Sequence, residues 1–324
     1  MTSPLLEIGD VVVDLPGRGT VLRDITLAMA SGESLGLVGE SGAGKSMLAR
    51  AVAGLLPAGA ARLGTIRFDG APLSRSRTGR DGARRRLGMV FQDARAHLDP
   101  RQRIGDFLLE TTPRRARPAR LPEVLALLDR VGLAEPRRLL DRYPDQLSGG
   151  MLQRIMIASV VLADPALVLA DEPTTALDVT TQAEVVAILD ELRRERGTGL
   201  LFISHDLDLA AQLCDRIAVL YAGTVQEVAA AGALAADPRH PYTRALFAAR
   251  PDIERRLPRL PAIAGHPVAA YESGAGCAFA PRCDRAVDAC GTALPELVGT
   301  EHAVRCLVAA PPAPATRREG VTRC

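Results

Sequence analysis

Lysine is almost missing from this chain of 324 residues. Lys45 is the single lysine among 40 basic residues, and the rest are arginine. Tryptophan is absent and aromatics make up 3% of the sequence, so platforms on which nucleic-acid bases could stack in series are scarce. The formal net charge of +2 is too weak for the basic footprint of a nucleic-acid binder, and no nucleic-acid partner is expected. No run is long and apolar enough to span a bilayer. The best candidate, Ile155 to Ala170, is interrupted by Asp164 and Pro165 and reads as a helix end followed by a buried strand. Met1 to Glu7 lacks a basic region followed by an apolar core, so no signal peptide is expected. These absences leave a protein expected on the cytoplasmic side, free to dock on a membrane partner.

The one lysine stands in Gly39-Glu40-Ser41-Gly42-Ala43-Gly44-Lys45-Ser46, which fits the phosphate-loop pattern G-x-x-x-x-G-K-[ST]. A compact ammonium on a thin stem can reach back over a tight loop to the β- and γ-phosphates, where a planar guanidinium does not fit. Leu35 to Val38 reads as a short buried strand entering the loop, and Met47 to Gly54 as a helix leaving it. Gly39, Gly42 and Gly44 let amides curl around phosphate oxygens, with Ser41 among them, and the helix N-terminus adds a favourable field. Ser46 would place its hydroxyl on Mg²⁺. The bland alternative is a glycine-rich turn carrying a surface lysine, and the strand–loop–helix context weighs against it.

Strands are expected over 5–15 and 20–29, joined by the turn Pro16-Gly17-Arg18-Gly19, and over 65–70 and 87–91. Arg75 to Arg86 is a basic run that reads as a solvated loop. Residues 94–165 read as mostly helical, broken by Pro113, Pro118, Pro122, Pro136 and Pro144. Strand 167–171, helix 182–194, strand 200–203, helix 208–214 and strand 217–221 follow. Strands alternating with helices around a phosphate loop imply an α/β core with a parallel sheet. Beyond residue 235 prolines become frequent, and four of the six cysteines fall between 277 and 306. The expected division is therefore a domain over 1–235 with a helical subdomain at about 94–165, an extension over 236–308, and a disordered tail over 309–324.

Other motifs follow in order. Leu167-Val168-Leu169-Ala170 is an apolar strand ending in Asp171 and Glu172. A carboxylate at the end of a strand neighbouring a phosphate loop is where such proteins hold Mg²⁺, a role Asp171 fits. Glu172, one residue on, can face the γ-phosphate and polarise water; alone, two acids at a strand end could be a solvated turn. Ser148-Gly149-Gly150 precedes a helix and could form a second phosphate-binding helix start; alone, it is a capping turn.

With these residues in view the chain resembles the ATP-binding cassette (ABC) ATPases. The phosphate loop matches 39–46, the family signature 147–154, the Asp-Glu pair 171–172, the glutamine loop Gln92, the D-loop Ala176-Leu177-Asp178 and the switch histidine His205. The resemblance covers roughly residues 5–235. It implies a phosphate-loop α/β core with a helical subdomain and an antiparallel β region, and an ATP hydrolase in which two cassettes pair head-to-tail. Each ATP would then lie between one phosphate loop and the other subunit's Ser148, Gly149 and Gly150. Ser46, Gln92 and Asp171 would organise Mg²⁺, Glu172 would be the general base, His205 would contact the γ-phosphate and Asp178 would couple the two sites. Two departures stand out. The family has an aromatic near the N-terminus that stacks on adenine; here no aromatic precedes Phe68, and Leu15 occupies the approximate place. Met151 stands where many members have Gln.

Pro238 to Leu246 resembles a segment that follows the cassette in oligopeptide, dipeptide and nickel importer ATPases. Cys277, Cys283, Cys290 and Cys306 are spaced C-x5-C-x6-C-x15-C, similar to a pattern in the C-terminal extension of peptide-importer ATPases. A reducing cytoplasm disfavours disulfides, zinc prefers closer pairs, and four thiolates suit a [4Fe–4S] cluster; the resemblance favours the cluster, with zinc or no metal as alternatives. Cys214 reads as a small core residue. The resemblance implies a peptide importer's ATPase at the cytoplasmic face of the membrane. Its partners would be a second, homologous ATPase subunit, two permeases that dock on the 94–165 region and, indirectly, an external binding protein. Nickel or a nickel chelate is the alternative cargo. A non-transport ABC ATPase would call for tandem cassettes or a long coiled-coil insertion, and neither is visible.

Overall fold

The computed structural model describes residues 3–73, 82–174, 179–250 and 263–309. Strands β1 (Leu6–Leu15) and β2 (Gly19–Met29) form an antiparallel hairpin. Strand β3 (Ser34–Val38) leads through the phosphate-loop segment into helix α1 (Lys45–Ala53). Strands β4 (Ala61–Phe68) and β5 (Ala71–Pro72) complete a four-stranded antiparallel sheet of order β2-β1-β4-β5. Strand β6 (Leu87–Val90) opens the stretch that leads to helices α2 (Ile104–Leu108), α3 (Arg117–Arg130), α4 (Pro136–Leu139) and α5 (Gly149–Leu162). Then come β7 (Leu167–Asp171), α6 (Val179–Arg196), β8 (Gly199–Ser204), α7 (Leu207–Leu213), β9 (Arg216–Tyr221), β10 (Thr224–Ala230), α8 (Ala231–Ala236), α9 (Pro241–Ala248) and β11 (His302–Val304).

The second sheet has seven strands in the order β11-β10-β9-β3-β8-β7-β6. Strands β9, β3, β8, β7 and β6 are parallel, and β10 and β11 add antiparallel at one edge. Every residue of β3, β7 and β8 is buried, as expected of parallel strands covered on both faces. The two-residue period decides which face each side chain serves. On β8, Leu200 and Phe202 pack toward the helical layer, while Leu201 and Ile203 pack toward α1 and the antiparallel sheet.

Three of the parallel strands set up the site. Strand β8 lies between β3 and β7, with Val38 paired to Ser204 and Asp171 to Ile203. Their C-terminal ends therefore converge, and the residues that follow each strand share one crevice, where open α/β sheets bind ligands.

The prolines of the helical stretch act differently from the sequence expectation. Pro118 and Pro136 sit in the first turns of α3 and α4, where a missing N–H costs nothing. Pro122 lies inside α3 without ending it. Further differences are β10 and β11, which no sequence pattern singled out. Through β11 the cysteine-bearing segment joins the main sheet, and Arg305, 2% exposed, donates to the carbonyls of Val225 and Pro295 at 3.0 and 2.7 Å. Among the described residues no helix is long and apolar enough to cross a membrane. Ala176-Leu177-Asp178, residues 75–81 of the basic run, the tail from 310 onward and Cys324 lie outside the described residues.

Candidate nucleotide site

The loop between β3 and α1 is shaped by glycines at left-handed dihedrals. Gly39 has φ 150°, Gly42 81° and Gly44 102°, a region closed to most side chains. A Cβ at Gly39 would stand 2.1 Å from the Leu220 carbonyl oxygen, and one at Gly44 2.7 Å from Leu22 Cδ2. Lys45, 5% exposed, is the first residue of α1, and its ammonium folds back to donate to the carbonyls of Gly39 at 2.7 Å and Glu40 at 3.1 Å. The curled loop thus holds the lysine over itself, beside the amides that open α1.

Burial lowers the pKa of Lys45, opposed by the negative charges of Glu172, Asp171 and Glu40. Asp171, at the end of β7, is 3% exposed, and burial raises its pKa against a hydrogen bond from Ser46. Ser46 Oγ donates to Asp171 Oδ1 at 2.7 Å. A hydroxyl and a buried carboxylate side by side are hard oxygen donors, and they fit Mg²⁺.

Glu172 follows with φ 44°, an unusual conformation for a residue with a long side chain, and such strain concentrates at functional sites. Its N–H donates to the Ile203 carbonyl at 3.1 Å, which pins the turn to β8. The carboxylate accepts from Gln92 Nε2 at 3.0 Å and lies 3.6 Å from His205 Nδ1. The expectation grouped Gln92 with Ser46 and Asp171; in this structure it bonds Glu172 instead. His205 closes β8 with its side chain 62% exposed, ahead of Asp206, which caps α7.

These residues border a cleft of about 410 Å³ lined by Ser41–Met47, Gln92 and Glu172 on one side and by Leu15, Arg18, Val21 and Ala269–Tyr271 on the other. The size is that of a small-molecule site. Ser148, Gly149 and Gly150 are not in this wall. Ser148 caps α5, accepting from the Met151 N–H at 3.3 Å, and the turn faces solvent.

The far side of the loop is gripped by residues beyond 235 that the sequence reading gave no role. Glu40 N–H donates to the Tyr242 hydroxyl at 2.9 Å, and Arg282 makes a two-pronged pair with the Glu40 carboxylate at 2.7 and 3.1 Å. Tyr221, Tyr242 and Phe279 pack behind it with ring centroids 4.6–5.5 Å apart. Pro238 to Leu246 was singled out as a segment, but nothing in its pattern announces a bond to a loop so distant in sequence.

The chain matches the family model for ABC transporters over residues 22–175 and that for the C-terminal region of oligopeptide/dipeptide transporters over 226–290. It is 40% identical over 315 residues to a probable peptide ABC transporter ATP-binding protein of Sinorhizobium fredii, covering 93% of this chain and 94% of that one. This chain belongs to the ATP-binding proteins of ABC transporters. The oligopeptide transport ATP-binding protein OppD of Salmonella typhimurium is 37% identical over 299 residues, covering 90% and 89% of the two chains. OppD of Mycobacterium bovis is 41% identical over 320 residues, 94% of this chain but 52% of the relative, so the chain spans about half the length of that mycobacterial protein. Among solved structures, cbiO1 of Clostridium perfringens, part of an ABC transporter complex, superposes with a TM-score of 0.61 at 27% identity, covering 72% of this chain and 92% of that one. A dimeric ATP-binding cassette in a post-hydrolysis state with ADP and Pi gives 0.59 at 27% identity, covering 70% and 98%. The ABC ATPase fold is thereby shown for this member of the family.

The cysteine-bearing segment departs from expectation. Cys277 N–H donates to the Cys290 carbonyl at 2.8 Å, and burial is the first cause raising the pKa of Cys277, Cys283 and Cys306. Among the described residues no group of three or more Cys, His, Asp or Glu is placed to hold a metal ion. The donor chemistry suits a soft metal centre, but the positions are not those of a formed one. The iron–sulfur expectation thus has no preformed site behind it among the described residues. Cys214 is buried beside β3, and burial pushes its thiol up to about 12, in keeping with a core residue.

Proposed function

We propose that this protein is the ATP-hydrolysing subunit of an ABC importer that takes up di- or oligopeptides through membrane permeases. The observation that carries the chemistry is the convergence of Lys45, Ser46 and Glu172 on one cleft, with Asp171 at the end of β7 bonded to Ser46. The loop amides and Lys45 bind the β- and γ-phosphates. Ser46 and Asp171 would hold Mg²⁺, which would supply positive charge against the phosphate oxygens. Glu172 takes a proton from the water that attacks the γ-phosphorus, the bond to the β–γ bridging oxygen breaks, and ADP and inorganic phosphate leave. Gln92 positions Glu172, and His205 donates toward the γ-phosphate as charge develops. Gly39, Ser41, Gly42 and Gly44 form the cradle.

The solvent-facing Ser148, Gly149 and Gly150 supply the opposite wall of an ATP site on a second cassette, with Asp178 coupling the two. That second cassette is a homologous subunit, and the pair sits at the cytoplasmic face of the membrane with the permeases docked on the 94–165 region. The peptide reading rests on the names of the relatives and on the match over 226–290. Division of the chain into a cassette over 1–235 and an extension over 236–308 is part of the same reading. A [4Fe–4S] centre on Cys277, Cys283, Cys290 and Cys306 is carried as a finer proposal that rests on the spacing of the four cysteines alone. Iron and sulfide in anaerobically purified protein support it, and one equivalent of zinc or no metal overturns it.

The test of the chemistry is Glu172→Gln. It should keep MgATP affinity while lowering single-turnover hydrolysis in the assembled transporter by about 10²- to 10⁴-fold. Hydrolysis at the wild-type rate would remove Glu172 as the base.

A further inference from the structure

The cleft beside Lys45 has two ends of different character. One end is the phosphate loop, polar and rich in amides. The other is formed by Leu15, Arg18 and Val21 of the β1–β2 hairpin together with Ala269, Ala270 and Tyr271 from the C-terminal segment. Tyr271 is the only aromatic residue in that wall, and it is 51% exposed although its neighbour Ala270 is 4% exposed. It lies over the hairpin turn: a Cβ at Gly19, the residue paired with Leu15, would stand 3.6 Å from Tyr271 Cβ.

The turn that carries Tyr271 is held rigidly. Glu272 accepts from the Ala269 N–H at 3.0 Å, and Val268 N–H donates to the Tyr221 hydroxyl at 3.3 Å. Arg23, on β2, donates to Ser273 Oγ at 2.9 Å and to the Gly274 carbonyl at 2.8 Å. Ala270 packs on Gly223, where a Cβ would come within 2.7 Å of it, and Gly223 N–H donates to Ala43 of the phosphate loop at 2.9 Å. The turn that presents this exposed ring is therefore tied to the loop through a short chain of contacts.

We infer that Tyr271 is the base-stacking residue of the nucleotide site: the C-terminal segment supplies the aromatic face that the first strands of this chain lack. A triphosphate seated on the loop directs its nucleoside along the cleft to this wall. A ring carried on this turn beside the aliphatic Leu15 and Val21 offers a base one flat face and an apolar border. Stacking of this kind tolerates any base, so the contact strengthens binding of nucleotides without selecting adenine strongly. The inference rests on the nucleotide reading of the cleft.

The chain contains no tryptophan, so Tyr271→Trp places a single indole in the full-length protein as a reporter. Two titrations separate this inference from the reading beneath it, one with MgATP and one with magnesium tripolyphosphate, which has the phosphates and no base. Tyr271→Ala should weaken MgATP binding about tenfold or more and leave tripolyphosphate binding unchanged. Tyr271→Trp should keep MgATP affinity within about threefold of wild type, with its emission quenched by MgATP and not by tripolyphosphate. Wild-type MgATP affinity in Tyr271→Ala, or an unquenched indole at saturating MgATP, overturns the role of Tyr271 and leaves the phosphate site standing. Failure of the wild-type protein to bind either probe overturns both.

Discussion

At the scale of single residues, the account turns on two charges that the fold has taken out of water, those of Lys45 and Asp171. Lys45 is buried in the loop that wraps it. Charge-assisted hydrogen bonds contribute about 1.5–3 kcal/mol each, so Lys45→Ala, which removes at least two contacts to phosphate oxygens, should weaken MgATP binding roughly 100-fold or more in a calorimetric titration. Asp171 has a different signature. Its folded pKa is raised by burial above the ordinary carboxylate value, so the folded state holds this proton more tightly than the unfolded state. The burial cost of the carboxylate grows as pH rises from the ordinary carboxylate range through the folded pKa, and it is fully present above it. Asp171→Asn should therefore raise the melting temperature of the nucleotide-free protein at neutral pH while abolishing Mg²⁺-dependent ATP binding. A fall in melting temperature at neutral pH would contradict the assigned burial cost. Lys45, Ser46, Asp171, Glu172 and His205 were legible in the sequence because each stands at a fixed place relative to an apolar strand, and strand ends are where a parallel sheet collects its ligands. Tyr271 was not legible. It is one exposed ring on a short turn, and only the folded chain brings it to the hairpin that holds Leu15.

Elements tell a similar story. Strands β3, β7 and β8 read from the sequence because each is a short apolar run, and α5 because Ser148 caps a long apolar helix. Strands β10 and β11 did not. The first is a buried run carrying Gln226 and Glu227, both fully buried, whose polar atoms break any apolar pattern. The second is three residues long and is a strand only because β10 lies beside it. Proline misled in the same way at Pro122, where tertiary packing of α3 outweighs the local penalty. The same distance in sequence hides the Arg282–Glu40 pair that braces the phosphate loop. The Arg282 side chain is 4% exposed and that of Glu40 21%. Removing one partner of such a pair leaves a poorly solvated charge, so Arg282→Met should destabilise the protein by about 3 kcal/mol in urea denaturation. A change smaller than about 0.5 kcal/mol would show that the brace is incidental.

For the whole molecule, the decisive feature is what one cassette does not bring together. The cleft is lined by the phosphate loop and Glu172, with Asp171 bonded to Ser46 beside it, while Ser148, Gly149 and Gly150 are not part of that wall and the first two are exposed. Under the proposed function, a second cassette completes the ATP site. Ser148→Arg should leave MgATP affinity of the isolated protein unchanged and abolish ATP-dependent pairing with its partner subunit, as read by light scattering. Pairing at the wild-type level would place the opposite wall elsewhere. All of this depends on a triphosphate lying on the glycine loop under Lys45. The most direct measurement is a calorimetric titration of the full-length protein with MgATP, beside Lys45→Ala. The account predicts one saturable, magnesium-dependent site in the wild type that is lost in the variant; equal affinity in the two proteins would contradict it.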